Sequence, residues 1–145
     1  MSKLRLRTLA NRMRFTGIGV NTFEVRCMAI ADLDFFVRDV PVFAEEIARS
    51  IEDSGLANPV IVVRGPREDL ELELERIGAR ADRLPDKPVV NIVCGGRNRV
   101  SAAELLDYTH IDCVLLPTFE LAMRLQEQQR NSYSATRAET AGTAE

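Results

Sequence analysis

The 145-residue chain has no tryptophan, a single histidine and three cysteines. Each scarcity excludes something. One histidine, His110, cannot furnish a Cys/His metal cluster, and any Ser-His-Asp triad would have to be built on it alone. Nothing around it suggests one, and it reads as a loop or strand-edge residue before IDCVLL. Cys27, Cys94 and Cys113 are odd in number and lack CxxC spacing, which suits reduced, packed thiols in a cytoplasmic protein better than a disulfide framework. No apolar run approaches the roughly 20 residues that span a bilayer. The basic N-terminus is not followed by the apolar core of a secretory signal. A membrane partner is therefore not expected.

What is present is an ordinary globular composition, 46% hydrophobic and 28% charged, with the charge unevenly placed. Lys3, Arg5, Arg7, Arg12 and Arg14 give the first fifteen residues +5 without an acid, leaving −8 for the rest. Residues 1–22 read as a basic arm. Such an arm suits an anionic partner such as DNA, or is a solvated terminus.

The stretch CGGRNRVSAAELL (94–106) is the richest in chemistry. It follows the apolar run VVNIV (89–93), which reads as a buried strand. Gly95 and Gly96 permit a tight turn and a close approach of backbone to ligand. A helix then begins, and its first N–H groups carry partial positive charge that favours anions. Arg97 and Arg99 can fork onto phosphate oxygens, with Asn98 between them. The pattern predicts a phosphate cradle.

Along the rest of the chain, FEVRCMAI (23–30) and PVIVV (59–63) read as strands. A helix is expected near 40–54, capped by Asp39, with Pro41 in its first turn, a buried stripe of Ala44, Ile47, Ala48 and Ile51, and Gly55 as its stop. Residues 66–88 read as a helical insertion. Leu70, Leu74, Ile77, Ala81 and Leu84 recur at spacings of four and three, closed by Pro85 and Pro88. Its charged run EDLELELER is a solvated face. The helix either covers the sheet or binds a protein partner. A helix is expected over 97–107, a fourth strand at IDCVLL (111–116), and a last helix from Thr118 to about Arg130. Residues 131–145 are small and polar and read as a disordered tail. The fold class is α/β (α+β), a small mixed sheet of about four strands with helices packed around it.

Two blocks resemble the ParB/sulfiredoxin superfamily, specifically the ParB N-terminal domain. ARSIEDSGLANPVIVVR (48–64) is similar to the family's first box, and Arg38 matches an arginine common before its helix. GGRNRVSAAELL (95–106) is similar to the second box, written GERR in partition proteins and GGCHR in sulfiredoxins. The likeness spans 24–130 with 66–88 set aside. It implies a ParB/sulfiredoxin-like domain over 23–130 that binds a nucleotide, CTP or ATP with Mg2+. Gly95, Gly96, Arg97, Asn98 and Arg99 would hold the phosphates. Ser50, Gly55 and Leu56 would lie nearer the base and ribose, with Arg38 close by.

The departures are specific. Sulfiredoxin needs a nucleophilic cysteine where Arg97 stands, so that chemistry is not expected. Cys94 lies on the strand side of the turn and reads as a packed thiol. Gly96 replaces the usual acid of GERR. The chain is too short for the helix-turn-helix and dimerisation domains of partition proteins. Glu127 and Arg130 do not match the spacing of the family's catalytic helix, which leaves Glu104 and Glu127 as the only weak catalytic candidates. Three functions follow: a nucleotide-binding module, DNA-associated or serving a phage, plasmid or other mobile element; a ParB-like nuclease or NTP-hydrolysing, phosphotransferring enzyme; and a ligand-free interaction protein using helix 66–88.

Overall fold

Valines at 60, 62 and 63 and isoleucine at 61 are all fully buried, so this strand has no solvent face. Such a strand must lie inside a sheet covered on both sides. The structure, a computed structural model, describes residues 3–8, 15–18, 21–36, 41–80, 82 and 84–129. Its elements are β1 (Lys3–Leu6), β2 (Phe15–Ile18), β3 (Asn21–Ala29), a 3-10 turn (Ile30–Asp32), α1 (Ala44–Ser54), β4 (Val60–Pro66), α2 (Arg67–Arg76), β5 (Val89–Gly95), α3 (Arg97–Leu105) and β6 (Tyr108–Leu116). A last helix, α4, runs over 119–129. No helix among the described residues is long and apolar enough to cross a membrane.

The expected mixed sheet with helices around it is present, and it is six-stranded, in the order β2-β3-β6-β4-β5 with β1 also on β6. The long β6 organises it. β3 runs antiparallel along one edge of β6. The other edge is shared end to end: β1 pairs in parallel with its start (Leu6↔Ile111) and β4 with its end (Val60↔Cys113). β5 closes the far side antiparallel to β4. Two strands thus come from the segment read as a basic arm. The signal was the alternation Lys3-Leu4-Arg5-Leu6, which the charge concealed. Leu6 is buried in the core, and Arg5 next to it reaches Asp112, which is only 4% exposed. The Asp112 carboxylate accepts from Arg5 Nε at 2.8 Å and from Thr8 N at 3.0 Å, so a buried charge is paired and hydrogen-bonded.

Two cores line the two faces. Val60, Val62, Val93, Ile111 and Cys113 face Ala48 and Ile51 of α1 and Val100, Ala102 and Ala103 of α3. Ile61, Val63, Val90, Ile92, Val114 and Leu116 face Leu70 and Leu74 of α2 and Phe119, Ala122 and Leu125 of α4. The alternation within β4 and β6 sends successive side chains to opposite layers.

Several boundaries differ from the sequence reading. α1 starts at Ala44 rather than near 40, and Asp39 lies outside the described residues. α2 ends at Arg76, well short of Leu84. Gly78, at φ +79°, terminates it: Ala79 N donates to Leu74 O at 2.8 Å and Gly78 N to Glu75 O at 3.1 Å, the paired bonds of a Schellman cap. Leu84 still reaches the same core, from the segment beyond the turn, whereas Ile77 is exposed. α2 therefore covers a sheet face through Leu70 and Leu74. The 131–145 tail lies outside the described residues.

α2 and α4 are locked together by one buried acid. Glu73 of α2 accepts from Phe119 N at 2.7 Å and Glu120 N at 3.0 Å, the first two N–H groups of α4. Thr118 caps the next, with Leu121 N donating to its Oγ1 at 3.2 Å. Hydrogen bonds to a charged group are worth about 1.5–3 kcal/mol each. Glu73→Ala is expected to lower the unfolding free energy by about 2–3 kcal/mol in urea titrations. Glu73→Gln, which keeps one acceptor, should lose less, and exposed Glu75→Ala should change it by under about 0.5 kcal/mol.

Candidate functional site

The glycine turn sits where β5 ends and α3 begins. Gly95 closes the strand and Gly96, at φ +115° in the left-handed region, stands at the N-cap of α3. Neither glycine is replaceable without movement. A Cβ on Gly95 would lie 3.2 Å from Ile61 Cδ1, which would have to shift, and 3.6 Å from Gln126 Cγ, an ordinary contact. A Cβ on Gly96 would lie 2.9 Å from Arg99 Nε and Nη2. The Arg99 guanidinium thus folds back across the bare face of Gly96. Its Nη1 donates to the carbonyls of Asn58 at 2.8 Å and Pro59 at 3.1 Å.

No carboxylate among the described residues forms an ion pair with Arg99. Burial lowers the guanidinium from the usual arginine range to about 10, so it remains a cation at neutral pH. α3 has no side-chain cap at its N-terminus, and the first N–H groups of a helix have no intrahelical acceptor. The Arg99 cation and the Gly96 turn therefore meet at one place.

They border a cavity of about 370 Å³. Ile47, Ser50 and Ile51 of α1 form one wall, the Gly55–Asn58 turn the floor, Gly95, Gly96 and Arg99 a second wall, and Gln126 and Gln129 of α4 a third. The cavity lies beyond the carboxyl end of β5, where crevices in open α/β sheets take ligands. Its apolar side and convergent donors suit a ligand with an anionic group and a less polar body. Its lining contains no carboxylate among the described residues. Among the described residues no group of three His, Cys, Asp or Glu side chains could hold a metal.

Of the residues expected at a phosphate site, Ser50, Gly55, Leu56, Gly95, Gly96 and Arg99 line this one cavity. Arg97 and Asn98 do not. Arg97 lies over the Phe35 ring, 3.6 Å from its centroid, and Asn98 Oδ1 accepts from Val42 N and Phe43 N. The reason is helical geometry. Once α3 starts at Arg97, residues two apart point to nearly opposite sides and cannot grip one phosphate together. Arg38 lies outside the described residues. Glu104 and Glu127 are exposed and absent from the lining, so neither weak catalytic candidate stands at the cavity. Gln126 and Gln129 were missed. The signal was the buried stripe Phe119, Ala122 and Leu125, which continues onto these glutamines rather than onto Glu127. Of the residues read as DNA-binding, Arg7 is exposed, Arg5 pairs with Asp112, Lys3 pairs through its backbone with Tyr108, and Arg12 and Arg14 lie outside the described residues. Cys94 is half-buried, packs on the α2–α4 side and does not line the cavity.

Behind Arg99 lies Cys113, whose thiol burial pushes up to about 12. The folded state thus favours the neutral thiol. That contribution is full below the ordinary value of 9.0 and is lost as pH rises through about 12. Wild type should lose stability more steeply than Cys113→Ala between pH 9 and 12, measured by denaturant titrations across pH. Gly96→Ala is expected to cost about 1–3 kcal/mol through its positive φ, measured the same way, and to displace Arg99.

No protein-family model, curated protein or solved structure matches the chain.

Proposed function

We propose that this chain is a nucleotide-binding module of ParB-like type that takes CTP or ATP by its phosphates at the α1–α3–α4 cavity. The observation that carries the reading is Arg99: a part-buried cation with no ion-pair carboxylate among the described residues, folded over Gly96 at the start of α3. A phosphate oxygen at the start of α3 supplies negative charge opposite Arg99 and accepts from its guanidinium. The resemblance of 48–64 and 95–106 to the two ParB boxes adds support, because both blocks contribute to the same cavity.

Binding is favoured over catalysis. Hydrolysis or strand cleavage needs a group that activates a nucleophile, and among the described residues the lining offers no carboxylate, cysteine or histidine. Magnesium would then arrive on the phosphates of the nucleotide rather than on protein side chains. Association with DNA belongs to the proposal only through exposed cations such as Arg7, since Arg5, although exposed, is paired with the buried Asp112.

Calorimetric titration with CTP, ATP and GTP in magnesium tests the reading. One of them should bind, and Arg99→Met should weaken that binding about thirtyfold, the equivalent of one charge-assisted bond of about 2 kcal/mol. Absence of binding by all three nucleotides would sink the proposal. Retention of full affinity by a folded Arg99→Met would remove Arg99 from it.

A further inference from the structure

The first turn of α3 does more than border the cavity. Asn98 Oδ1 accepts from Val42 N at 2.9 Å and Phe43 N at 3.0 Å, the two N–H groups immediately before α1. Phe43 is the N-cap position of α1 and supplies no side-chain cap of its own. Its carbonyl accepts the first helical bond, from Ile47 N at 3.0 Å. Ile47 is itself part of the cavity wall. Two hydrogen bonds therefore connect Asn98, whose flanking residues are Gly96, Arg97 and Arg99, to the opposite wall. Val42 and Phe43 are 72% and 55% exposed, so little apolar packing holds this approach to α1 in place.

We infer that Asn98 is a positioning residue: it couples occupation of the cavity to the placement of α1. The inference rests on the anion reading of the cavity given above. An anion drawn onto Gly96 and Arg99 orders the α3 turn, and the ordered turn presents Oδ1 to α1 in one geometry. The coupling is reciprocal, so loss of the Asn98 tie must weaken the anion by the same factor that the anion strengthens the tie. Asn98 serves the site through α1 while Arg99 serves it directly, which explains how adjacent residues of one turn point apart yet belong to one device.

Amide-resolved hydrogen exchange of the whole chain, with inorganic pyrophosphate as the probe, tests this. In wild type, pyrophosphate should slow exchange at Arg97–Arg99 and also at Val42 and Phe43. In Asn98→Ala it should still slow Arg97–Arg99, with affinity reduced about fivefold to tenfold, but no longer affect Val42 and Phe43. Asn98→Asp keeps the Oδ1 acceptor and, once pyrophosphate is saturating to offset the added carboxylate charge, should restore the response at Val42 and Phe43. That restoration separates a tie through the side chain from a general loss of fold. A wild-type response confined to Arg97–Arg99, or an Asn98→Ala variant that keeps the response at Val42 and Phe43, overturns the coupling and leaves the anion site standing. A wild type with no response at Arg97–Arg99 overturns the anion site and the coupling together.

Discussion

The burial of β4 and β6 on both faces is the constraint on which the rest depends. Val60 and Val62 point into one layer, and Ile61 and Val63 into the other. Each such side chain gains about 1.5–3 kcal/mol from burial, which is realised only if helices cover both faces. α1 and α3 cover one. The other requires α2, which comes from the charged stretch 66–88, together with α4. Glu73 joins these two by capping one from the other. A segment that looks like an insertion in sequence is thereby half of a core.

The same constraint creates the cavity. Gly95 lies between Ile61 of β4 and Gln126 of α4, where a Cβ would crowd Ile61, and α1 is held to α3 through Asn98. The space left between these three helices, beyond the end of β5, is lined by apolar residues from α1 and by donors from α3 and α4. Arg99 is in an unfavourable position for stability alone, since burial of a charge without an opposite charge is costly. Its carbonyl partners Asn58 and Pro59 hold it across Gly96, where it faces whatever the cavity receives. Three consecutive side chains of one turn thus do three different things: Arg97 stacks on Phe35, Asn98 ties α1, and Arg99 borders the cavity.

Much of this was legible beforehand, for reasons that are local. β5, the glycine turn and the start of α3 were readable because a buried apolar run, two glycines and a helical segment follow one another within eighteen residues, 89–106. Gly55 ended α1 as its composition required, and Thr118 capped α4. Other features were concealed. β1 hid behind its charges, because an alternating strand in which the polar residue pairs with a distant buried acid looks like a solvated arm. α2 looked longer than it is, because spacing alone cannot show that Gly78 adopts a left-handed φ. Arg97 and Arg99 looked equivalent in a string and are opposed on a helix.

The sequence by itself determined the mixed α/β class, the position of the glycine turn and the pair of cations, Arg97 and Arg99, that follows it. These follow from short-range rules: periodicity, conformational freedom at glycine and the free N–H groups of a helix start. Only the tertiary structure decided which cation meets the cavity, which face of α4 lines it, and that Asn98 holds α1 rather than a ligand. Those outcomes depend on contacts between residues some forty or more positions apart, such as Arg99 with Asn58 and Asn98 with Phe43. No local pattern encodes such contacts, because they arise only when two layers of helices close on one sheet.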